Sequence, residues 1–194
     1  MTTRRPDPLA RPRPATARIG TWAARVARDQ RLLTALAVIG LVLLGAALRA
    51  WALGGLEFGL GSDDSRYVAV AQNLAHGMLP DGTAEWFGSR AVFLWPVALV
   101  FRLVGADDYT AIAWPFACSL LSIVAVFLVG REIGSRRVAL VAAGIVACAP
   151  IEVLWATRLR PDAVLPAFVA LAVWAALRSR RAVASADLSG RHSQ

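Results

Sequence analysis

The chain has 194 residues, of which 57% are hydrophobic. The apolar residues fall in long runs with few charges, a pattern typical of membrane proteins and not of soluble domains. The net charge of +8 comes from Arg alone, since no Lys occurs, which favours a GC-rich bacterial source. Because the Arg residues cluster beside the apolar runs and not along one soluble face, the charge argues against nucleic acid as a partner.

The order of these runs predicts an all-α polytopic membrane protein with four transmembrane helices. Residues 1–31 form a basic, Pro-rich cytoplasmic tail, residues 32–181 a membrane module and residues 182–194 a polar C-terminal tail. The four predicted spans are residues 32–53, 112–133, 138–155 and 163–177, each long enough or nearly so to cross the hydrocarbon core. A cleaved signal peptide ending at Ala50-Trp51-Ala52 is the alternative for the first span.

The apolar stretch from Ala91 to Val104 decides the topology, because it is short and contains Pro96 and Arg102. If it does not cross, the basic tail and both Arg-rich segments near residues 136 and 180 lie on one side, as the positive-inside rule requires. We therefore predict a juxtamembrane helix at the outer interface. Both termini are then cytoplasmic in a bacterial inner membrane, and residues 54–110 form an outer loop.

This outer loop contains an acidic helix start, Ser62-Asp63-Asp64-Ser65-Arg66-Tyr67. Ser62 can cap the helix, and the helix dipole favours carboxylates in its first turn, so a purely structural role for both Asp residues is one interpretation. Arg66 can pair locally with Asp63. Tyr67 heads an apolar face suited to lying on the membrane surface.

The second outer loop contains Arg158 and Arg160 ahead of Pro161-Asp162. Pro161 can take the first helical position and Asp162 the first turn. Two Arg residues in an outward loop go against the positive-inside bias, and a bound phosphate group would explain them, since guanidinium groups bind phosphate in bidentate fashion. Contact with the headgroups of membrane lipids is the alternative.

Other kinds of site find little support in the sequence. His76 and His192 stand far apart, and no metal-ligand cluster of His or Cys is present. Cys118 and Cys148 both lie in apolar runs and are expected to be free thiols. No intramembrane charged pathway is visible, so a transporter is the least favoured class.

Five segments of the chain, taken together in the order in which they occur, resemble the N-terminal part of the GT-C membrane glycosyltransferases. The similarity is to bacterial relatives of the dolichyl-phosphate-mannose protein mannosyltransferases and of the lipid A aminoarabinose transferase, over roughly residues 32 to 180. The segments are Ser62-Asp63-Asp64-Ser65-Arg66-Tyr67 to Gly77, Phe93-Leu94-Trp95-Pro96 to Gly105, Gly130-Arg131 to Arg137, Ala149-Pro150, and Arg160-Pro161-Asp162-Ala163.

The resemblance implies transfer of a sugar, with inversion, from a polyprenyl-phosphate donor at the outer membrane face. By matching position Asp63 is the acidic residue at the acceptor, either a general base or a ligand to a divalent cation. Asp64 supports it, and Asp162 is the second acidic residue of the active site. We assign substrate binding to Arg66 and Tyr67, and the departing lipid phosphate to Arg158 or Arg160.

The chain departs from the family in three respects, the first being that its juxtamembrane helix lacks the acidic-Lys-Pro entry seen in some relatives. It reads Ala111-Ile112-Ala113-Trp114-Pro115 where members usually have an Arg at the start of the second span, and members are generally much longer. We therefore expect a truncated GT-C-like fold. The first hypothesis is a glycosyltransferase module, which is either complete or needs a second membrane subunit to supply the missing spans. The alternative is a non-catalytic remnant or accessory subunit of such an enzyme.

Overall fold

A computed structural model describes residues 15–53, 63–78 and 90–191. Within these ranges the chain is helical and has no strand, which confirms the all-α prediction. Ser62, predicted to cap the acidic helix, lies outside the described residues. The helices are α1 (Ala15–Leu53), α2 (Asp63–Ala75), α3 (Ala91–Val104), α4 (Asp108–Ile133), α5 (Arg136–Cys148), α6 (Pro150–Ala156) and α7 (Leu165–Arg191), with a 3-10 turn at Pro161–Ala163.

Within the described ranges, three helical segments are long and apolar enough to cross a membrane. They are Asp29–Leu53, Asp108–Ile133 and Pro161–Ala184, and they correspond to the predicted first, second and fourth spans. Helix α1 begins inside the predicted basic tail and α7 continues to Arg191, inside the predicted C-terminal tail. The chain is a polytopic membrane protein.

The predicted third span is not one straight helix. It consists of α5 and α6, which meet at a 56° bend. Ala149 between them has an extended backbone, and Pro150 opens α6. Because proline lacks an N–H group and fits the first turn of a helix, it ends α5 and starts a new helix in a new direction. Counted together as one bent span, the two helices bring the candidate crossings among the described residues to four.

Helix α3 is the predicted juxtamembrane helix, and at 14 residues it is too short to span. Its buried side chains include Phe93, Leu94 and Val97. Helix α2 packs against it through Tyr67 and Ala71, which are also buried. The apolar face of α2 therefore lies against protein, whereas the sequence pattern alone predicted a face lying on the membrane surface.

The turn between α4 and α5 brings the two helices into backbone contact. A Cβ atom on Gly130 would lie 2.7 Å from Cα of Ala139, so only glycine allows this approach. Ser135 caps α5 by accepting a hydrogen bond from the backbone N–H of Val138. Near this turn Arg181 of α7 forms an ion pair with Glu132, 2.7 Å apart. The Arg-rich turn at residues 136–137 and the basic part of α7 thus lie at the same end of the helix bundle.

Candidate active site

Asp64 in the first turn of α2 is buried, with only 2% of its surface exposed. Its neighbour Asp63 is exposed. Successive residues of an α-helix point about 100° apart, so the two carboxylates face different surroundings. Sequence position alone gave Asp63 the leading role and Asp64 a supporting one. The structure shows what Asp64 is bound to.

Two Arg residues distant in sequence hold the Asp64 carboxylate. Nε of Arg160 donates a hydrogen bond to Oδ1 of Asp64 over 3.2 Å. Nη1 of Arg158 lies 3.8 Å from Oδ2, within ion-pair range but too far for a hydrogen bond. The acidic helix start and the Arg-rich loop, predicted separately on the same membrane face, therefore form one cluster.

The segment after α6 directs both Arg side chains toward Asp64. The Thr157 hydroxyl donates to the carbonyl of Leu154 and closes the last turn of α6. Leu159, between the two Arg residues, is fully buried, and Arg160 has an extended backbone. The backbone N–H of Arg160 donates to the carbonyl of Arg158 over 2.9 Å, so the chain makes a tight turn at Leu159, and both Arg side chains on either side of this turn reach Asp64.

The cluster has more cationic donors than Asp64 uses. Each guanidinium group has five N–H donors and one positive charge, and a single buried carboxylate faces two such groups. Nε of Arg158 is buried and has no hydrogen-bond partner. Both Arg side chains are roughly one-third exposed, at 32% and 29%. An anion that reaches the exposed parts of these two side chains therefore meets an excess positive charge.

Tyr67, predicted to bind substrate, lies in the core beside the cluster. Its ring is 3% exposed and packs edge-on against Phe93, with ring centroids 5.1 Å apart. Its hydroxyl accepts a hydrogen bond from Nη1 of Arg90, which also lies over the ring. The structure thus gives Tyr67 a packing role that joins α2 to α3. A direct contact between Tyr67 and substrate stays a prediction.

Arg66 and Asp162, the remaining predicted site residues, are both exposed. Asp162 lies in the 3-10 turn Pro161–Ala163. Pro161 opens this turn, so it starts a helical segment as predicted, but the segment is a 3-10 turn. Asp162 is two residues from Arg160, so their Cα atoms lie within about 7 Å. Asp162 therefore lies at the same end of the bundle as the cluster.

The residues of the cluster do not suit a divalent cation. Among the described residues, no group of three His, Cys, Asp or Glu side chains could hold a metal ion. Asp64 already has two guanidinium groups around it, and these would repel a cation. Asp63 as a metal ligand stays a prediction.

Sequence analysis missed a second polar cluster, which lies inside the bundle. Arg49 of α1 is fully buried and contacts Ser119, which in turn contacts Glu152. The sequence shows Arg49 only as an interruption of an apolar run. A charge inside a span was the available signal, since such residues usually face the bundle interior and find partners there. In the sequence we saw no intramembrane charged pathway, and we did not identify this buried polar cluster.

Grooves among the described residues lie away from the Asp64 cluster. One, of about 350 Å³, lies between α2 and α3 beside Leu74, Trp95 and Arg102. Another, of about 460 Å³, lies between α1 and α6 beside Trp51 and Pro150. Neither is lined by Asp64, Arg158 or Arg160. The case for the active site therefore depends on charge and hydrogen bonding, not on cavity size.

Comparison with known protein families identifies part of the chain. Residues 91–185 match the family model of the dolichyl-phosphate-mannose-protein mannosyltransferases. This segment, just under half of the chain, is therefore similar to that family. It includes Arg158, Arg160 and Asp162, whereas Asp63 and Asp64 precede it. No curated protein and no solved structure gives a significant match to the chain.

Proposed function

We propose that the chain is a membrane glycosyltransferase module that takes a sugar from a polyprenyl-phosphate donor and transfers it to an acceptor at the outer face of the membrane. The family match supports a GT-C type of membrane glycosyltransferase with a lipid-linked sugar donor. The observation that carries the proposal is the pairing of Asp64 with Arg158 and Arg160. It joins an acidic helix start to two guanidinium groups, the kind of group that binds phosphate in bidentate fashion.

Charge distribution supports the orientation. The ion pair between Arg181 and Glu132 lies about 24 Å along α7 from its first residue, Leu165, which follows the Arg160 loop. Arg-rich segments favour the cytoplasmic side. In this orientation the Asp64 cluster faces outward, and both termini are cytoplasmic.

The proposed reaction is a displacement at the anomeric carbon of the donor sugar. The acceptor hydroxyl oxygen forms a bond to that carbon, and the bond to the phosphate oxygen breaks with its electron pair. The hydroxyl proton passes to Asp63, whose exposed carboxylate is accessible to an acceptor. Arg158 and Arg160 bind the polyprenyl phosphate as negative charge develops on its leaving oxygen.

In this scheme Asp64 acts through the Arg residues. Its buried carboxylate fixes both guanidinium groups before the donor binds, which avoids the cost of ordering long side chains during the reaction. Asp162, at the same end of the bundle, is the second acidic group near the acceptor.

The test uses the full chain in lipid vesicles, with a radiolabelled polyprenyl-phosphate sugar outside. Asp63→Asn is expected to lower the transfer rate by about 10²- to 10⁴-fold, the usual contribution of a general base. Asp108→Asn is the matched control, because Asp108 is also exposed in the first turn of a helix. Arg158→Gln and Arg160→Gln are expected to raise the KM for the donor.

Equal transfer by wild type and Asp63→Asn would contradict the assignment of the base. The absence of transfer by the wild-type chain, both in vesicles and in membranes of cells that express it, would contradict the proposed activity. Transfer that appears only with a second membrane protein would make the chain a module of a larger enzyme.

A further inference from the structure

Arg49 lies near the end of an apolar helix and is completely buried. It belongs to the candidate span Asp29–Leu53, yet none of its surface is exposed. An Arg inside a membrane span is costly and persists where it faces the bundle interior and has partners. The scheme proposed above does not use Arg49.

The guanidinium group of Arg49 joins three helices. Nε donates to the Ser119 hydroxyl of α4 over 2.9 Å. Nη1 donates to the carbonyl of Gly45 over 3.0 Å and to that of Ala147, in the last turn of α5, over 3.1 Å. Gly45 makes room for it, since a Cβ atom there would lie 3.0 Å from Nη1 and 2.6 Å from Cδ1 of Ile123.

The contact with Ala147 lies at the bend between α5 and α6. In a continuous helix the Ala147 carbonyl would accept from the amide four residues later, but the break at Ala149 ends α5 first. A cation near the C-terminal end of a helix satisfies such a carbonyl and complements the helix dipole. Arg49 therefore caps α5 from another helix.

The other side of the bend has the opposite charge. Glu152 lies in the first turn of α6, where the helix dipole favours a carboxylate. The Ser119 hydroxyl lies 3.4 Å from Oε2 of Glu152 while it accepts from Arg49. A chain of polar contacts from Arg49 through Ser119 to Glu152 thus spans the bend, with a cation at the end of α5 and an anion at the start of α6.

The direction of α6 determines where the active-site Arg residues lie. Helix α6 has seven residues and ends one residue before Thr157. It is about 10 Å long, so a change of about 20° in its direction would move its far end by roughly 3–4 Å. Such a displacement exceeds the tolerance of the 3.2 Å hydrogen bond between Arg160 and Asp64.

We propose that Arg49 is a positioning residue, which fixes the bend between α5 and α6 and thereby holds Arg158 and Arg160 against Asp64. The effect of Arg49 on donor binding depends on the proposed function, whereas its effect on the bend does not. An experiment can therefore contradict the proposed function without contradicting the role of Arg49 at the bend, and the reverse is also possible.

The bend is measured as a spin-label distance in the full chain in vesicles. Labels at exposed Val138 and Leu154 span α5 and α6, in a background where Cys118 and Cys148 are replaced by Ser and Ala. Arg49→Met is expected to broaden the distribution and lengthen its mean by up to about 2 Å as the bend opens. Arg49→Lys, which can still donate to one carbonyl, is expected to give an intermediate distribution.

Arg131→Met is the matched control, because Arg131 is an exposed Arg in the last turn of α4. It is expected to keep the wild-type distribution. A wild-type distribution in Arg49→Met would overturn the proposal whether or not the chain transfers sugar. If Arg49→Met does not fold, Arg49→Lys provides the test, and an unchanged distribution there would overturn it equally.

Donor affinity separates positioning from a general loss of structure. If Arg49 acts through the Arg residues of the cluster, Arg49→Met is expected to weaken donor binding about tenfold in the wild-type background and little in Arg160→Gln. Equal weakening in both backgrounds would show that Arg49 does not act through Arg160. A donor that binds neither protein would contradict the proposed function and leave the distance measurement to decide on Arg49.

Discussion

The ion pair between Asp64 and Arg160 allows the most detailed prediction. Asp64→Asn keeps the size of the side chain and one acceptor oxygen but removes the charge, and Arg160→Gln removes the guanidinium group. A hydrogen bond that involves charged groups contributes about 1.5–3 kcal/mol. Because Arg160 is 29% exposed, solvent screening lowers the expected coupling between the two residues to about 1–2 kcal/mol.

The coupling is obtained from a double-mutant cycle. The free energies of unfolding of wild type, both single variants and the double variant are measured by SDS titration in mixed micelles. The ion pair between Glu132 and Arg181 is the control, since Arg181 is 64% exposed and such pairs contribute about 0–1 kcal/mol. A coupling for Asp64 and Arg160 that is no larger than the additivity error of about 0.5 kcal/mol would refute the reasoning.

Further predictions concern stability elsewhere in the fold. Asp107 caps α4, and a hydrogen bond from the backbone N–H of Thr110 lowers its pKa in the folded state. At pH values above the unfolded pKa of about 3.9, the ionised carboxylate therefore stabilises the folded state in full. This stabilisation is lost as the pH falls through the folded pKa. The difference in melting temperature between wild type and Asp107→Ala should therefore be constant near neutral pH and shrink below about pH 4; a difference independent of pH would contradict this. Gly130→Ala should lower the free energy of unfolding by about 1–3 kcal/mol in the same SDS titration because its Cβ would meet the backbone of α5. Gly144→Ala, whose Cβ has its nearest neighbour at 3.8 Å, should be neutral or stabilising, and equal effects of the two substitutions would refute the packing argument.

The sequence was sufficient to predict the helical membrane fold, because hydropathy and charge act over whole segments. Runs of apolar residues marked the spans, and the short stretch from Ala91 to Val104 was correctly predicted as a separate helix. The bend at Ala149 was not predicted, although Pro150 was its signal, because a proline near the middle of an apolar run is also compatible with a kinked but continuous helix.

The candidate site was predicted in part. The residues Asp64, Arg158 and Arg160 were all identified, but their mutual contact was not, because it joins segments 96 residues apart. Sequence also could not determine that Asp64 and not Asp63 is the buried member of the pair. That choice depends on how α2 rotates against α3, where the burial of Tyr67 and Ala71 fixes the orientation.

Arg49 shows a different limit. Its charge is visible in the sequence, but its role depends on the α5 carbonyl it contacts, 98 residues later. That carbonyl is free to accept only because the helix breaks just after it. A residue whose partner is created by a backbone break cannot be assigned before the break itself is known.

The central claim is that Arg158 and Arg160 bind the phosphate of a lipid-linked sugar at the outer end of the bundle. Photo-cross-linking tests it directly, with a polyprenyl phosphate that carries a diazirine beside the phosphate and the full chain in vesicles. We expect cross-links to the start of α2 or to residues 155–163, with a large decrease in Arg158→Gln and Arg160→Gln. Cross-links concentrated near Glu132 and Arg181, or unchanged in the two variants, would contradict it.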